Sequence, residues 1–165
     1  MHILYFVQLT PQMRAARQLS TFLLLVSGIM ALYGGYHMIS DPTGNSLGLP
    51  FYLLNGSVFS DYTMPGWVLL LTIGIFSIIV IICIFRKVRI YPSLIMLQGM
   101  IIFGIVVIQM LLLGEAFIIQ YFFLILGIGL IGLGVLQNQR RIAVDAGQKH
   151  NPEPRSHHHK HRKHK

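Results

Sequence analysis

The polar side chains inside the apolar stretches of this sequence are mostly amides and hydroxyls rather than ionisable groups. Gln98 and Gln109 lie eleven residues apart in one apolar run, close to three helical turns, so a helix would place them on one face. Gln120 lies near the start of the next run, at a depth that would approach Gln109. These glutamines either join helices through hydrogen bonds or form a polar track that binds a small ligand. The absence of a neighbouring acid or base in the sequence favours the first interpretation.

No pattern in the sequence matches a catalytic or metal-binding site. His37 and Glu115 lie near the ends of apolar runs and close to water, and Asp41 and Asp61 are better explained as turn formers. The histidines of the C-terminal HHHKHRKH are interleaved with cations, which makes them a weak metal signal. We therefore expect a protein that is not an enzyme, with no catalytic residue, no metal and no cofactor. Nucleic acid is not an expected partner, because no aromatic platform accompanies the basic residues.

The elements that must position these side chains are membrane-spanning helices. The chain has 165 residues, 54% hydrophobic, with only five acids, which places it in the membrane class. A helix needs roughly 20 apolar residues to cross the hydrocarbon core. Four runs meet that length: about Leu19–Ile39, Trp67–Phe85, Ile90–Leu113 and Ala116–Leu136. Short links between the later runs predict an all-α, up-down four-helix bundle.

The remaining segments are predicted to be a lead, a loop and a tail. Residues 1–18 read as a cytoplasmic or interfacial lead, retained rather than cleaved, in which Thr10 caps a helix that begins at Pro11. Residues 40–66 form an outer loop. Residues 137–165 read as a disordered, basic, His/Lys-rich tail. Cys83 is the only cysteine and is interpreted as a small apolar residue.

The distribution of Lys and Arg predicts the orientation. All thirteen fall before the first run, between the second and third, or after the fourth. The positive-inside rule then places both termini in the cytoplasm of a multi-pass protein. Six basic residues of the tail are expected to attract anionic lipid headgroups: Lys149, Arg155, Lys160, Arg162, Lys163 and Lys165.

Small residues recur at helical spacing in the first and fourth runs. They are Ser27, Ala31 and Gly35 in the first, and Gly127, Gly129, Gly132 and Gly134 in the fourth. Small residues let helix backbones approach closely. The contact that they make is either internal packing of the bundle, which is favoured, or docking against another subunit.

The 40–66 loop carries turn and helix signals that predict an ordered lid. Asp41-Pro42-Thr43-Gly44 is a type I turn pattern. A short helix is expected to start at Pro50 and to end at Asn55-Gly56, with Phe51, Leu53 and Leu54 packing on the outer end of the bundle. The residues assigned to the lid are Asp41, Pro42, Gly44, Pro50, Phe51, Leu54, Gly56, Asp61 and Pro65.

The loop pattern also resembles a family of small bacterial four-helix integral membrane proteins. The residues that carry the resemblance are Asp41-Pro42-x-Gly44, Leu47-Gly48-Leu49-Pro50, Leu54, Gly56, Phe59, Asp61-Tyr62 and Pro65-Gly66, with Tyr91-Pro92 and Gln109 further on. It covers about residues 20–136. The resemblance implies a four-helix fold in a bacterial cytoplasmic membrane, and it supplies no catalytic residues.

Two functions are compatible with the sequence. The first is a non-enzymatic scaffold or accessory subunit that packs against a larger membrane complex, with a membrane protein or a second copy of the chain as partner. The alternative is a protein that binds or transports a lipid-like or small neutral molecule, using the lid, Gln98 and Gln109.

Overall fold

Four long helices make up the computed structural model, which describes residues 2–54, 59–113 and 117–150. Side chains are described for 12–54, 59–111, 117–144 and 146. We number the helices α1 (His2–Ser40), α2 (Thr63–Phe85), α3 (Tyr91–Leu113) and α4 (Ile118–His150). The middle of α2, Leu70–Ile75, is π-helical. Two 3-10 turns, Asn45–Leu47 and Phe51–Leu54, lie in the 40–66 loop, and the described residues contain no β-strand.

Each of the four helices contains a segment long and apolar enough to cross a membrane. These segments are Gln12–Ser40, Thr63–Phe85, Tyr91–Leu111 and Ile118–Val144. Many large apolar side chains of this chain are also exposed on the bundle, as expected of a surface that faces lipid. The chain is therefore a multi-pass integral membrane protein, and the all-α prediction is confirmed.

Pairs of residues in close contact show that neighbouring helices are antiparallel. A Cβ built on Gly35 would lie 2.9 Å from the carbonyl oxygen of Gly66, and one on Gly28 would lie 3.2 Å from the Cβ of Ser77. The contact nearer the N-terminus of α1 is therefore the one nearer the C-terminus of α2. The same holds for α3 and α4, where Met96 faces Gly134 and Gly99 faces Gly127. The up-down topology predicted from the short links is confirmed.

The core runs along the centre of the bundle and draws on all four helices. Its fully buried side chains include Leu24, Ile73, Ile84, Ile95, Ile102 and Leu130. One end of the bundle, which we call the basic end, holds the start of α1's apolar segment, the α2–α3 link and the C-terminal part of α4. The opposite end carries the 40–66 loop.

Three helices extend beyond their predicted bounds. The lead does not stop at a cap at Thr10, because α1 is continuous from His2 through Pro11. The predicted tail is helical up to His150, where α4 ends. Residues 137–149 contain alanine, glutamine and arginine but no proline, and these residues favour helix over disorder. The N-terminal end of α2 starts at Thr63, four residues before the predicted Trp67.

Candidate functional site

Gln98 lies in the interior of the bundle. Its side chain forms hydrogen bonds with α2 instead of facing an open polar track. Its side chain is 0% exposed. Its Nε2 donates to the Oγ of Ser77 at 3.1 Å and to the carbonyl oxygen of Ile73 at 3.3 Å. Ile73 lies in the π-helical turn, where the regular backbone hydrogen bonding is disturbed. Gln98 therefore bonds α3 to the irregular turn of α2.

Gln137 forms a second, similar connection that the sequence analysis missed. Its Nε2 donates to the Oγ of Ser20 at 2.9 Å and to the carbonyl oxygen of Leu133 at 3.1 Å. Ser20 in turn donates to the carbonyl oxygen of Ala16 at 2.9 Å. Gln137 and Ser20 are both 0% exposed. Because the predicted fourth run ends at Leu136, Gln137 falls in the predicted tail.

Helical spacing contained the signal for this second pair. Gln137 follows Leu130 and Gly134 at intervals of seven and three residues, which puts it on their buried face. Ser20 precedes Leu24 and Ser27 at intervals of four and seven residues, so it continues the small-residue stripe of α1. Both glutamines keep one oxygen, Oε1, that is buried without a hydrogen-bond partner in the described part of the chain.

The other two candidate glutamines do not join this arrangement. The Oε1 of Gln120 accepts a hydrogen bond from the backbone N–H of Phe117 at 2.9 Å, which is the reciprocal half of a capping box at the start of α4. Gln109 is half-buried, and no hydrogen bond links it to Gln120 or to another described residue. Gln120 therefore caps α4, and its predicted approach to Gln109 stays a prediction.

Most of the small residues of α1 and α4 lie against neighbouring helices of the bundle. Ser27 and Ala31 are fully buried, and Ser27 donates to the carbonyl oxygen of Leu24 at 3.1 Å. A Cβ on Gly134 would lie 2.7 Å from the backbone nitrogen of Met96, so α3 and α4 touch there through their backbones. The same close approach occurs at Gly35 against α2 and at Gly127 against α3.

Gly132 is an exception to this internal packing. It is exposed, and a Cβ built on it would meet nothing within 4 Å. It lies on the same face of α4 as the exposed side chains of Ile125, Ile128 and Leu136, according to their spacing. We call these four residues the outer stripe of α4. The helix has a notch there that the described residues do not fill.

Asp41 organises the first turn of the 40–66 loop. Its carboxylate accepts hydrogen bonds from the hydroxyl of Thr43, from the backbone N–H of Thr43 at 3.2 Å and from that of Ser46 at 2.8 Å. The hydroxyl of Thr43, followed by the N–H of Ser46, holds the pKa of Asp41 below its ordinary value. Asp61 plays a similar part at the other end of the loop by accepting from the N–H of Thr63 at 2.9 Å.

Tyr62, near the end of the loop, forms hydrogen bonds with two earlier residues of the loop. Its hydroxyl donates to the carbonyl oxygen of Pro50 at 2.8 Å, and its N–H donates to that of Pro42 at 3.1 Å. Burial, the larger effect, and neighbouring Tyr52 raise the pKa of Tyr62. Gly44 lies against the tyrosine ring with φ +79°, a conformation that favours glycine.

The apolar contact of the lid comes from two of the three residues expected. Leu53 and Leu54 are buried, but Phe51 is 52% exposed, so its predicted packing is wrong. Pro65 lies in the first turn of α2. Gly56, which was expected to end the short helix, lies outside the described residues. The 3-10 turn Phe51–Leu54 matches the predicted helix up to that point.

Most of the basic tail, including most of the residues predicted to bind lipid, lies outside the described residues. Lys149 belongs to the last turn of α4, while Arg155, Lys160, Arg162, Lys163 and Lys165 lie outside the described residues. Their binding to anionic lipid stays a prediction. Within the described part of the chain, His, Cys, Asp and Glu side chains form no group of three that could hold a metal ion.

Comparison with known proteins adds no relative. No family model, curated protein or solved structure matches this chain. The resemblance to small bacterial membrane proteins is therefore supported only in its coarser part, an assembly of four long apolar helices that span a membrane.

Proposed function

We propose that this protein is a non-enzymatic accessory subunit that packs against a larger complex in a bacterial cytoplasmic membrane. The observation that carries the proposal is the outer stripe of α4. A glycine in a helix interior is less favourable than alanine by roughly 0.5–1 kcal/mol unless a close contact needs it. Gly35, Gly99, Gly127 and Gly134 have such contacts inside the bundle, whereas Gly132 has none. A helix of a partner protein that approaches closely at Gly132 would supply the missing contact.

The hydrogen bonds of the glutamines favour this function over binding or transport of a small neutral molecule. Gln98 donates both of its observed hydrogen bonds to α2, and Gln120 caps α4. Two of the three glutamines assigned to a ligand track thus form hydrogen bonds within the bundle. A rigid bundle with apolar outer faces suits a subunit whose role is to pack against others.

Purification in a mild detergent from native membranes tests the proposal. The wild-type chain is expected to carry a stoichiometric membrane protein partner, which mass spectrometry would identify. Gly132→Leu is expected to abolish that association, because the leucine fills the notch at the centre of the outer stripe. Gly132→Leu should unfold in detergent at the same or a higher temperature than the wild type, since the added side chain meets open space and glycine is a poor helix former.

Gly104→Leu is the matched control, because a Cβ on Gly104 also meets nothing within 4 Å but lies on α3. Gly104→Leu should still copurify with the membrane protein partner. Equal loss of the partner in both variants would argue against docking at α4, and a wild-type chain that purifies alone, as a monomer, would overturn the proposal. Copurification of a second copy of the chain would identify the homo-oligomer as the partner.

A further inference from the structure

A groove of about 400 Å³ opens at the basic end between α1 and the end of α2. Two cations, Arg17 and Lys87, stand at this groove together with the apolar side chains of Phe22, Leu25, Ile84 and Phe85. Phe22, Leu25 and Phe85 are exposed on the outside of the bundle, while Ile84 is buried. The groove therefore combines positive charge and hydrocarbon in one place.

The order of these residues along the helices matches the cross-section of a membrane leaflet. Arg17 and Leu25 are eight residues apart, so α1 carries the groove over about 12 Å. The hydrocarbon of one leaflet is about 15 Å deep, half of the roughly 30 Å of the core. Phe85 ends the apolar segment of α2, and Lys87 follows two residues later. The cations thus lie at headgroup depth and the apolar side chains at the depth of the acyl chains.

No acid that the structure describes lies at the groove. The described acidic side chains are Asp41 and Asp61, both in the 40–66 loop at the opposite end. The hydroxyl of Thr21, which also borders the groove, donates to the backbone carbonyl oxygen of Arg17. A negatively charged group at this position would meet the positive charges of Arg17 and Lys87.

The backbone at Lys87 is an independent indication that the lysine matters. Lys87 has φ +52°, the single non-glycine residue with positive φ in the described chain. Its N–H donates to the carbonyl oxygen of Ile84, and that of Val88 donates to the carbonyl oxygen of Cys83. This pair of hydrogen bonds is a Schellman motif, in which glycine normally occupies the position of Lys87. A lysine in this conformation is less stable than a glycine, so the turn holds a charged side chain at the groove at a cost in backbone energy.

We propose that this groove binds an anionic membrane phospholipid, with the phosphate between Arg17 and Lys87 and an acyl chain along Phe22 and Leu25. Arg supplies a planar, bidentate donor for phosphate oxygens, and Lys adds a point charge. The site is distinct from the lid and from the predicted lipid binding by the tail. It does not depend on the proposed role as an accessory subunit.

Native mass spectrometry of the delipidated full-length chain tests the site. We would titrate dioleoyl phosphatidylglycerol and, separately, dioleoyl phosphatidylcholine, which have identical acyl chains. The first phosphatidylglycerol is expected to bind more tightly than phosphatidylcholine. Lys87→Gly and Arg17→Gln should each weaken that binding by about fivefold, the effect of one basic residue near an anionic surface.

Lys87→Gly separates binding from folding. Glycine is the preferred residue at this Schellman position, so the variant should unfold at the same or a higher temperature than the wild type while it loses phosphatidylglycerol. Arg86→Gln is the matched control: it removes one positive charge from the neighbouring position, which does not line the groove. That variant should bind phosphatidylglycerol as the wild type does.

Three outcomes would overturn the proposal. One is equal affinity for the two lipids in the wild-type chain. A second is equal weakening in Arg86→Gln, since this would reflect only the net charge of the protein. The third is unchanged phosphatidylglycerol binding in Lys87→Gly and Arg17→Gln, which would place the bound lipid elsewhere, for example on the basic tail.

Discussion

At the scale of residues, two pairs of an amide and a hydroxyl side chain join helices inside the described part of the bundle. Gln98 with Ser77 links α3 to α2, and Gln137 with Ser20 links α4 to α1. The sequence predicted the first of these roles, because a glutamine without an acid or base beside it has few other functions in lipid. The sequence did not predict which hydroxyl each glutamine would bind. That depends on the register between two helices, which is set by their packing and cannot be read from one apolar run.

A double-mutant cycle measures what the Gln98–Ser77 pair contributes. Gln98→Leu, Ser77→Ala and the double variant should show a coupling energy of about 0.6 kcal/mol, typical of hydrogen bonds between membrane helices. Reversible unfolding in mixed micelles provides the free energies. The control cycle combines Gln98→Leu with Ser27→Ala, which share no hydrogen bond, and should show none. Additive effects of Gln98→Leu and Ser77→Ala would mean that their hydrogen bond adds nothing.

The turn at Asp41 should respond to acid. Because its pKa is lowered in the folded loop, Asp41 stabilises the loop at any pH above its unfolded value of about 3.9, and this contribution is lost as pH falls through the lower folded value. Carboxyl chemical shifts of Asp41 in micelles should therefore titrate below pH 3.9. Thr43→Ala removes the hydroxyl that lowers the pKa of Asp41 most, so it should raise that pKa. An Asp41 midpoint at or above 3.9 in the wild type would contradict this expectation.

At the scale of elements, composition and periodicity predicted the existence of every helix but misplaced several ends. Apolar length identifies a span reliably, because backbone groups in lipid must be satisfied within the helix. The ends of α1 and α4 lie outside that constraint. Helix-forming residues carry α4 from Leu136 to His150, and no change in hydrophobicity reports where such an extension stops.

Two glycines of the 40–66 loop allow a matched test of the lid. Gly44 and Gly48 both have positive φ, at +79° and +64°, so alanine strains the backbone at either position. At Gly44 the new Cβ would also lie 2.7 Å from the ring of Tyr62, whereas at Gly48 it meets nothing within 4 Å. Gly44→Ala should thus accelerate hydrogen exchange at Leu53 and Tyr62 much more than Gly48→Ala. Equal acceleration would show that Tyr62 does not secure the lid.

At the scale of the whole molecule, the antiparallel arrangement collects the described basic side chains at one end of the bundle. Arg17 and Lys87 meet at one groove, and Arg140 donates to Gln12 across α4 and α1 at 2.9 Å. The sequence predicted this segregation because short links force successive helices to reverse direction. It could not predict the groove, which depends on how the side chains of α1 and of the end of α2 pack against each other.

Thiol labelling in intact cells tests the predicted orientation. In a Cys83→Ala background, cysteine replacing Ser46 should react with an impermeant reagent, because the positive-inside rule places the 40–66 loop outside. Cysteine replacing Ser156 should react only after the cells are permeabilised. Labelling of Ser156→Cys alone in intact cells would invert the topology, and labelling at both positions would contradict the even number of crossings.

The π-helical turn of α2 has a consequence for how this fold tolerates changes in length. A π turn accommodates one residue more than the α-helix around it, so deleting one residue from Leu70–Ile75 would restore a regular helix. Each α-helical residue turns the chain by about 100°. A π turn closes with one residue more than an α turn, so the extra residue is absorbed within Leu70–Ile75, and Phe76–Phe85 would keep its direction relative to Gly66. Ser77 would still face Gln98. One residue deleted from the regular segment Phe76–Phe85 would instead rotate the residues that follow it by about 100°, so the π turn is the part of α2 that tolerates a change in length.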